Sequence, residues 1–184
     1  MKKFLLLAAL IVFAAPAFAA EKEMTAVPQQ AAAPPVSAEA KLLDAAGKDA
    51  GTATITAASR GLLVRIEATG LSPGWHGVHF HGTGDCSDHT EHFKKSGGHA
   101  AREGEKHGLL SNGTPHAGDL PNLFAGADGV GKAEFYADDI GLDMLQDKDG
   151  GALMIHATAD DHRTDPSGNS GDRISCGVIS AAQE

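Results

Sequence analysis

Two histidines stand one residue apart in Gly77-Val78-His79-Phe80-His81. On a strand, residues i and i+2 point to the same face, so His79 and His81 present two imidazoles side by side. Such a pair suits one metal ion, although the same spacing also serves as the polar face of an edge strand. Downstream, His99, His107 and His116 lead to Asp119 in the pattern His-x7-His-x8-His-x2-Asp, with Gly97-Gly98 just ahead. Three imidazoles and one carboxylate make a closed four-ligand set, which tetrahedral zinc accepts. His156, ending an apolar run, can join His79 and His81; an imidazole-rich site with an open position suits copper. Any one of these histidines alone reads as a surface or packing residue. Their joint pattern argues for metal.

Positioning such a set calls for rigid elements, and the pattern supplies strands. Gly51–Ala57 is β-branched and alternating. Leu62–Ala68 places Val64, Ile66 and Ala68 on one face and Arg65 and Glu67 on the other, with Ser59-Arg60-Gly61 as the turn before it. Further strands are expected over Trp75–Phe80, Lys132–Ala137, Gly151–His156 and Ile174–Ile179, and a short helical turn within Asp139–Gln146. Strong helical periodicity is absent and 23 glycines punctuate the chain, so the fold is all-β, a sandwich or barrel. Two stretches carry no strand pattern, Thr83–Phe124 and Ala159–Arg173, and loops of this length are commonly functional.

The first residues read as an address. A basic head, Met1-Lys2-Lys3, precedes the apolar run Phe4–Phe13 and the small-residue site Ala17-Phe18-Ala19. Residues 1–19 are therefore expected to be a secretory signal. Residues 20–40, rich in Ala, Pro and Gln, read as a disordered linker, and 41–184 as the folded domain. The net charge is −9, and −11 once Lys2 and Lys3 leave with the signal. Such an acidic chain argues against nucleic acid and against stable association with an anionic membrane. An anionic substrate would need local positive charge. Two cysteines, Cys86 and Cys176, allow one internal pairing in an oxidising compartment. Gly129-Val130-Gly131-Lys132 lacks phosphate-loop spacing.

Taken together, residues 41–182 resemble the copper/zinc superoxide dismutases of the bacterial, exported kind. The resemblance rests on Gly77–His81 with Gly84-Asp85-Cys86, on Gly98-His99, Lys106-His107-Gly108 and His116–Pro121, and on Leu153–His156 and Gly168–Ile179. It implies an eight-stranded Greek-key β-barrel with two long functional loops. By this resemblance the copper ligands are His79, His81, His99 and His156, and the zinc ligands are His99, His107, His116 and Asp119, with His99 bridging one copper and one zinc ion per subunit. Asp160 matches an outer aspartate hydrogen-bonded to ligand histidines at both metals. Cys86 and Cys176 match the family disulfide, and His76 a structural histidine. Arg173 matches the arginine that attracts the substrate, superoxide anion, and His99 the histidine that takes up a proton. Periplasmic antioxidant defence follows from the resemblance, and a homodimer is left open. A non-catalytic copper/zinc carrier on the same fold is the alternative.

The chain departs from the family where Ala100 and Ala101 follow His99. The Asp85–Gly98 segment is long and contains His89, His92, Lys94 and Lys95. It reads as a solvated loop rather than an auxiliary metal site. The animal steering cluster has no residue-by-residue counterpart here. Arg163, beside His162, is a candidate substitute or an ordinary surface arginine.

Overall fold

The computed structural model describes residues 36–181. The expected signal over 1–19, and residues 20–35 of the expected linker, lie outside the described residues. The remainder of that linker is corrected: strand β1 runs over Ser37–Asp44, with Ala38 and Ala40 fully buried. An alanine-rich stretch conceals its alternation, because alanine is small enough to suit linker or core.

The other strands are β2 (Asp49–Ala57), β3 (Leu62–Ala68), β4 (Gly74–His76), β5 (Val78–His81), β6 (Leu123–Ala125), β7 (Gly131–Ala137), β8 (Ala152–His156) and β9 (Arg173–Ala181). One helical turn, α1 (Leu142–Leu145), falls inside the stretch expected to hold it. All pairings between named strands are antiparallel, in the order β4-β6-β7-β3-β2-β1-β9-β8-β5. The two ends of that order, β4 and β5, are one stretch of chain broken at Gly77. The sheet thereby closes into a barrel, and with β4 and β5 counted as one strand it has the eight expected. From β3 the chain passes over β7 and β6 to reach β4, and from β7 it crosses to β8. These are Greek-key connections.

Alternation decides which side chains fill the barrel. β3 reads buried–exposed throughout, with Leu62, Val64, Ile66 and Ala68 inward. Val78 and Phe80 of β5, and Leu153 and Ile155 of β8, join the same core. Each large side chain so buried contributes about 1.5–3 kcal/mol. Their neighbours must then face out: His79 and His81 on β5, and Ala152, Met154 and His156 on β8. This outer face is nevertheless buried, because the two long loops (82–122 and 157–172) lie over it. Cys86, Phe93, Ala152, Met154 and Cys176 form a second, smaller cluster beneath the first loop. The Cys86–Cys176 disulfide ties that loop to β9, with Cα atoms 5.8 Å apart.

Candidate metal centre

Barrel pairing places His79 opposite Met154 and His81 opposite Ala152, which sets His156 at the end of β8 beside both. Isolated bridges draw the first loop onto the same strand, His79 to Asp119 and His81 to His99. His79, His81, His99 and His156 thereby form one group with nitrogen atoms within 4.8 Å of one another.

Each ring in this group is held from behind. His79 Nε2 donates to Asp160 Oδ2 at 2.7 Å, His81 Nδ1 to Gly97 O at 3.0 Å, and His156 Nδ1 to Gly171 O at 3.1 Å. Carbonyls and carboxylates only accept, so these contacts fix the tautomers. The opposite nitrogens, His79 Nδ1, His81 Nε2 and His156 Nε2, are buried and have no hydrogen-bond partner. A neutral imidazole whose N–H is committed elsewhere leaves a lone pair at its other nitrogen, the state a metal requires. Burial reinforces that state, lowering His79 to a pKa of about 3, His81 to about 2 and His156 to about 4. Charge on Arg173 lowers His81 and His156 further.

A second constellation lies on the other side of His99. Asp119 Oδ1 is 3.0 Å from His99 Nδ1, 2.9 Å from His107 Nδ1 and 3.8 Å from His116 Nδ1, and the His99 and His116 Nδ1 atoms are 3.3 Å apart. Zinc bonds of ~2.0–2.1 Å in a tetrahedron give ligand–ligand edges of about 3.3 Å. The edges at Asp119 and His99 lie near that value and suit such an ion. The group whose ligand atoms all lie within 4.8 Å of one another is His79, His99, His107 and Asp119, with His116 reaching it through His99 and Asp119. Nδ1 of His99 is committed to this side, which leaves its Nε2 for the first group. Burial disfavours charge on His107, but Asp119 and Asp160 at its two ring nitrogens outweigh that and raise its pKa to about 9. Burial alone would raise Asp119, yet bonds from His107, His99 and the Gly108 N–H hold it well below the usual carboxylate range.

Asp160 joins the two constellations. Its buried carboxylate accepts from His79 through Oδ2, and from His107 Nε2 at 3.1 Å and the His162 N–H at 2.6 Å through Oδ1. Gly168 makes room for it: at φ +63°, with an added Cβ running into Asp160 Oδ1.

The sequence of this chain matches the family described as copper/zinc superoxide dismutase (SODC) over residues 49–179. The chain belongs to the copper/zinc superoxide dismutase family. A copper/zinc superoxide dismutase of Caulobacter vibrioides is 46% identical over 140 residues, covering 72% of this chain and 79% of the relative. The structure of a superoxide dismutase-like protein from Bacillus subtilis matches at 38% identity with TM-score 0.71, over 76% of this chain and 96% of that one. That of the Brucella abortus copper/zinc superoxide dismutase matches at 30% identity with TM-score 0.63, over 78% and 99%.

Around this family centre, the remaining residues sort by position. Arg173 borders a cleft of ≈ 520 Å³ shared with His99, His116, His156 and Lys94. Nδ1 of His76 contacts His156 O at 2.7 Å and Nε2 contacts Ser72 O at 2.8 Å, so no ring nitrogen is left over for a metal. Arg163 does not line that cleft and donates to Leu110 O at 3.4 Å. Among the described residues, the groups able to hold a metal include none of His89, His92 and His162. Ala100, the departure after His99, is packed in the main core. The Asp85–Gly98 segment is not simply solvated, since Phe93 and Ser96 within it are fully buried. Sequence reasoning overlooked the carbonyls of Gly97 and Gly171 that hold His81 and His156. A main-chain acceptor leaves no mark in residue type, though glycines flanking ligand loops hint at close backbone approach.

Proposed function

We propose that the protein dismutates superoxide at one copper held by His79, His81, His99 and His156, with one zinc held by His99, His107, His116 and Asp119. The observation that carries this is the trio of buried, partnerless imidazole nitrogens on His79, His81 and His156, each with its far nitrogen fixed, with His156 lining a cleft that also holds His99 and Arg173. In the reaction one superoxide gives up an electron and leaves as oxygen. A second takes that electron with two protons and leaves as hydrogen peroxide. Bound copper supplies the one-electron exchange, and zinc has no redox chemistry of its own. The chain's own groups do the rest. Arg173 offers a fixed cation at the cleft, which an anionic substrate needs in a protein of net charge −9. His99 can hold a proton at Nε2 for the bound anion while Nδ1 stays with the Asp119 side. Asp160 fixes ring orientation at both metals. Export through residues 1–19 would place this activity in the periplasm.

Metal content per chain, measured with superoxide turnover before and after chelation, tests the reading. One copper and one zinc per chain with chelator-sensitive turnover is expected. Arg173→Ser should retain both metals and lose roughly tenfold or more in kcat/KM. Copper bound at full occupancy without turnover would refute the dismutase and leave a carrier.

A further inference from the structure

We propose that Ser96 is a positioning residue for the reaction, holding the Arg173 guanidinium in register with the ligand ring of His81. This rests on reading Arg173 as the anion-binding group. Ser96 is fully buried and closes a turn of 3₁₀ helix over Lys94–Ser96. That turn is pinned at both ends. Phe93 enters it in the left-handed conformation, φ 53°, with its ring fully buried in the cluster around the Cys86–Cys176 disulfide. Gly97 leaves it at φ 73°. A side chain at Phe93 adopts such a backbone only when packing enforces it.

The Ser96 hydroxyl has one proton to give and two lone pairs to offer, and all three have partners. Oγ donates to Phe93 O at 2.8 Å, accepts from Arg173 Nη1 at 3.2 Å, and lies 3.2 Å from His81 Nδ1. The neighbouring carbonyls complete the cradle. Arg173 Nη1 also reaches Phe93 O at 3.0 Å and Nη2 reaches Gly97 O at 2.8 Å, while His81 Nδ1 donates to that same Gly97 O. A copper-side imidazole and the cleft cation are thus held by one five-residue turn. Ser96 supplies the only side chain in that cradle. When the hydroxyl is removed, Arg173 Nη1 keeps Phe93 O as acceptor, His81 Nδ1 keeps Gly97 O, and Phe93 O keeps Nη1 as donor, so the turn can survive Ser96→Ala while Nη1 is held on one side only.

The test compares wild type, Ser96→Ala and Ser96→Thr, each loaded with copper and zinc, and repeats Ser96→Ala in an Arg173→Ser background. Azide serves as the anion probe, followed by the visible absorption of the copper-loaded protein. Ser96→Ala should bind both metals normally, lose roughly three- to tenfold in kcat/KM and weaken azide binding by a similar factor. Ser96→Thr should restore azide affinity to within about twofold, as its hydroxyl is retained. In the Arg173→Ser background, Ser96→Ala should change neither quantity further. An equal loss in both backgrounds, or unchanged azide affinity beside a lowered melting temperature, overturns the assignment. If wild type binds copper and azide without turnover, the dismutase reading fails, and the azide comparison alone decides the role of Ser96.

Discussion

Replacing Asp160 by asparagine tests whether one carboxylate governs both metal groups. The change is isosteric, and the main-chain N–H of Asp160 keeps its bond to Asn122 Oδ1. What changes is acceptor capacity. Asp160 presents oxygen to His79 Nε2 at 2.7 Å on one side, and to His107 Nε2 and the His162 N–H on the other. An amide has one oxygen and one NH2, so in either orientation a ring N–H meets a donor. Loss of a hydrogen bond to a charged group in a buried site costs about 1.5–3 kcal/mol. That corresponds to a roughly 10–150-fold weaker metal at the constellation facing the NH2, in line with the 10–100-fold typical of such outer partners. The other constellation keeps its bond but to a neutral acceptor, so it should weaken less. Competition against a chromophoric chelator, run separately for copper and zinc, reads both affinities. In the metal-free variant the His107 pKa should fall from about 9, which proton NMR can follow. If both affinities stay within threefold of wild type, Asp160 is not the shared support and the reasoning is wrong.

Gly168→Ala should reproduce much of that loss without replacing any polar side chain, because its Cβ would displace the Asp160 carboxylate and crowd His107 Nε2; chelator competition decides. Cys86→Ser opens a crosslink between residues 90 apart in sequence and should cost about 4–5 kcal/mol of unfolding free energy in the chain-entropy model. A change below about 1 kcal/mol in denaturant titrations would contradict that. The metal-free protein should lose stability in acid. His79, His81 and His156 have folded pKa values of about 3, 2 and 4, below the ordinary 6.5. Their contribution is present above pH 6.5 and is lost as pH falls toward those values, since the unfolded chain takes up protons first. His107, raised to about 9, acts oppositely, losing its contribution as pH rises through 9. Between pH 6.5 and 4 the slope should approach about 4 kcal/mol per pH unit with all three histidines involved. A flat denaturation midpoint across that range would contradict the assignment.

Much of this was legible because it is local. The alternation in Leu62–Ala68 dictates one buried and one exposed face, and the structure has that pattern. The one-residue spacing of His79 and His81 places both imidazoles on one face, and Phe80 between them falls in the core. β6 was not legible: three residues, Leu123–Ala125, are too few to display a period. β1 was hidden by its alanines, which signal neither burial nor exposure.

Residue types and their order determined the all-β class, the donor inventory and the single possible cysteine pairing. Tertiary structure alone decided which donors meet. His156 reaches His79 and His81 because β8 pairs with β5, and that adjacency is a product of barrel closure between distant segments. It also decided what stands behind each ring: Asp160, the carbonyls of Gly97 and Gly171, and the Ser96 turn. Those contacts depend on where two long loops fold back onto the barrel. Hydrogen bonding by main-chain carbonyls is open to every residue type, so no sequence pattern could mark them in advance.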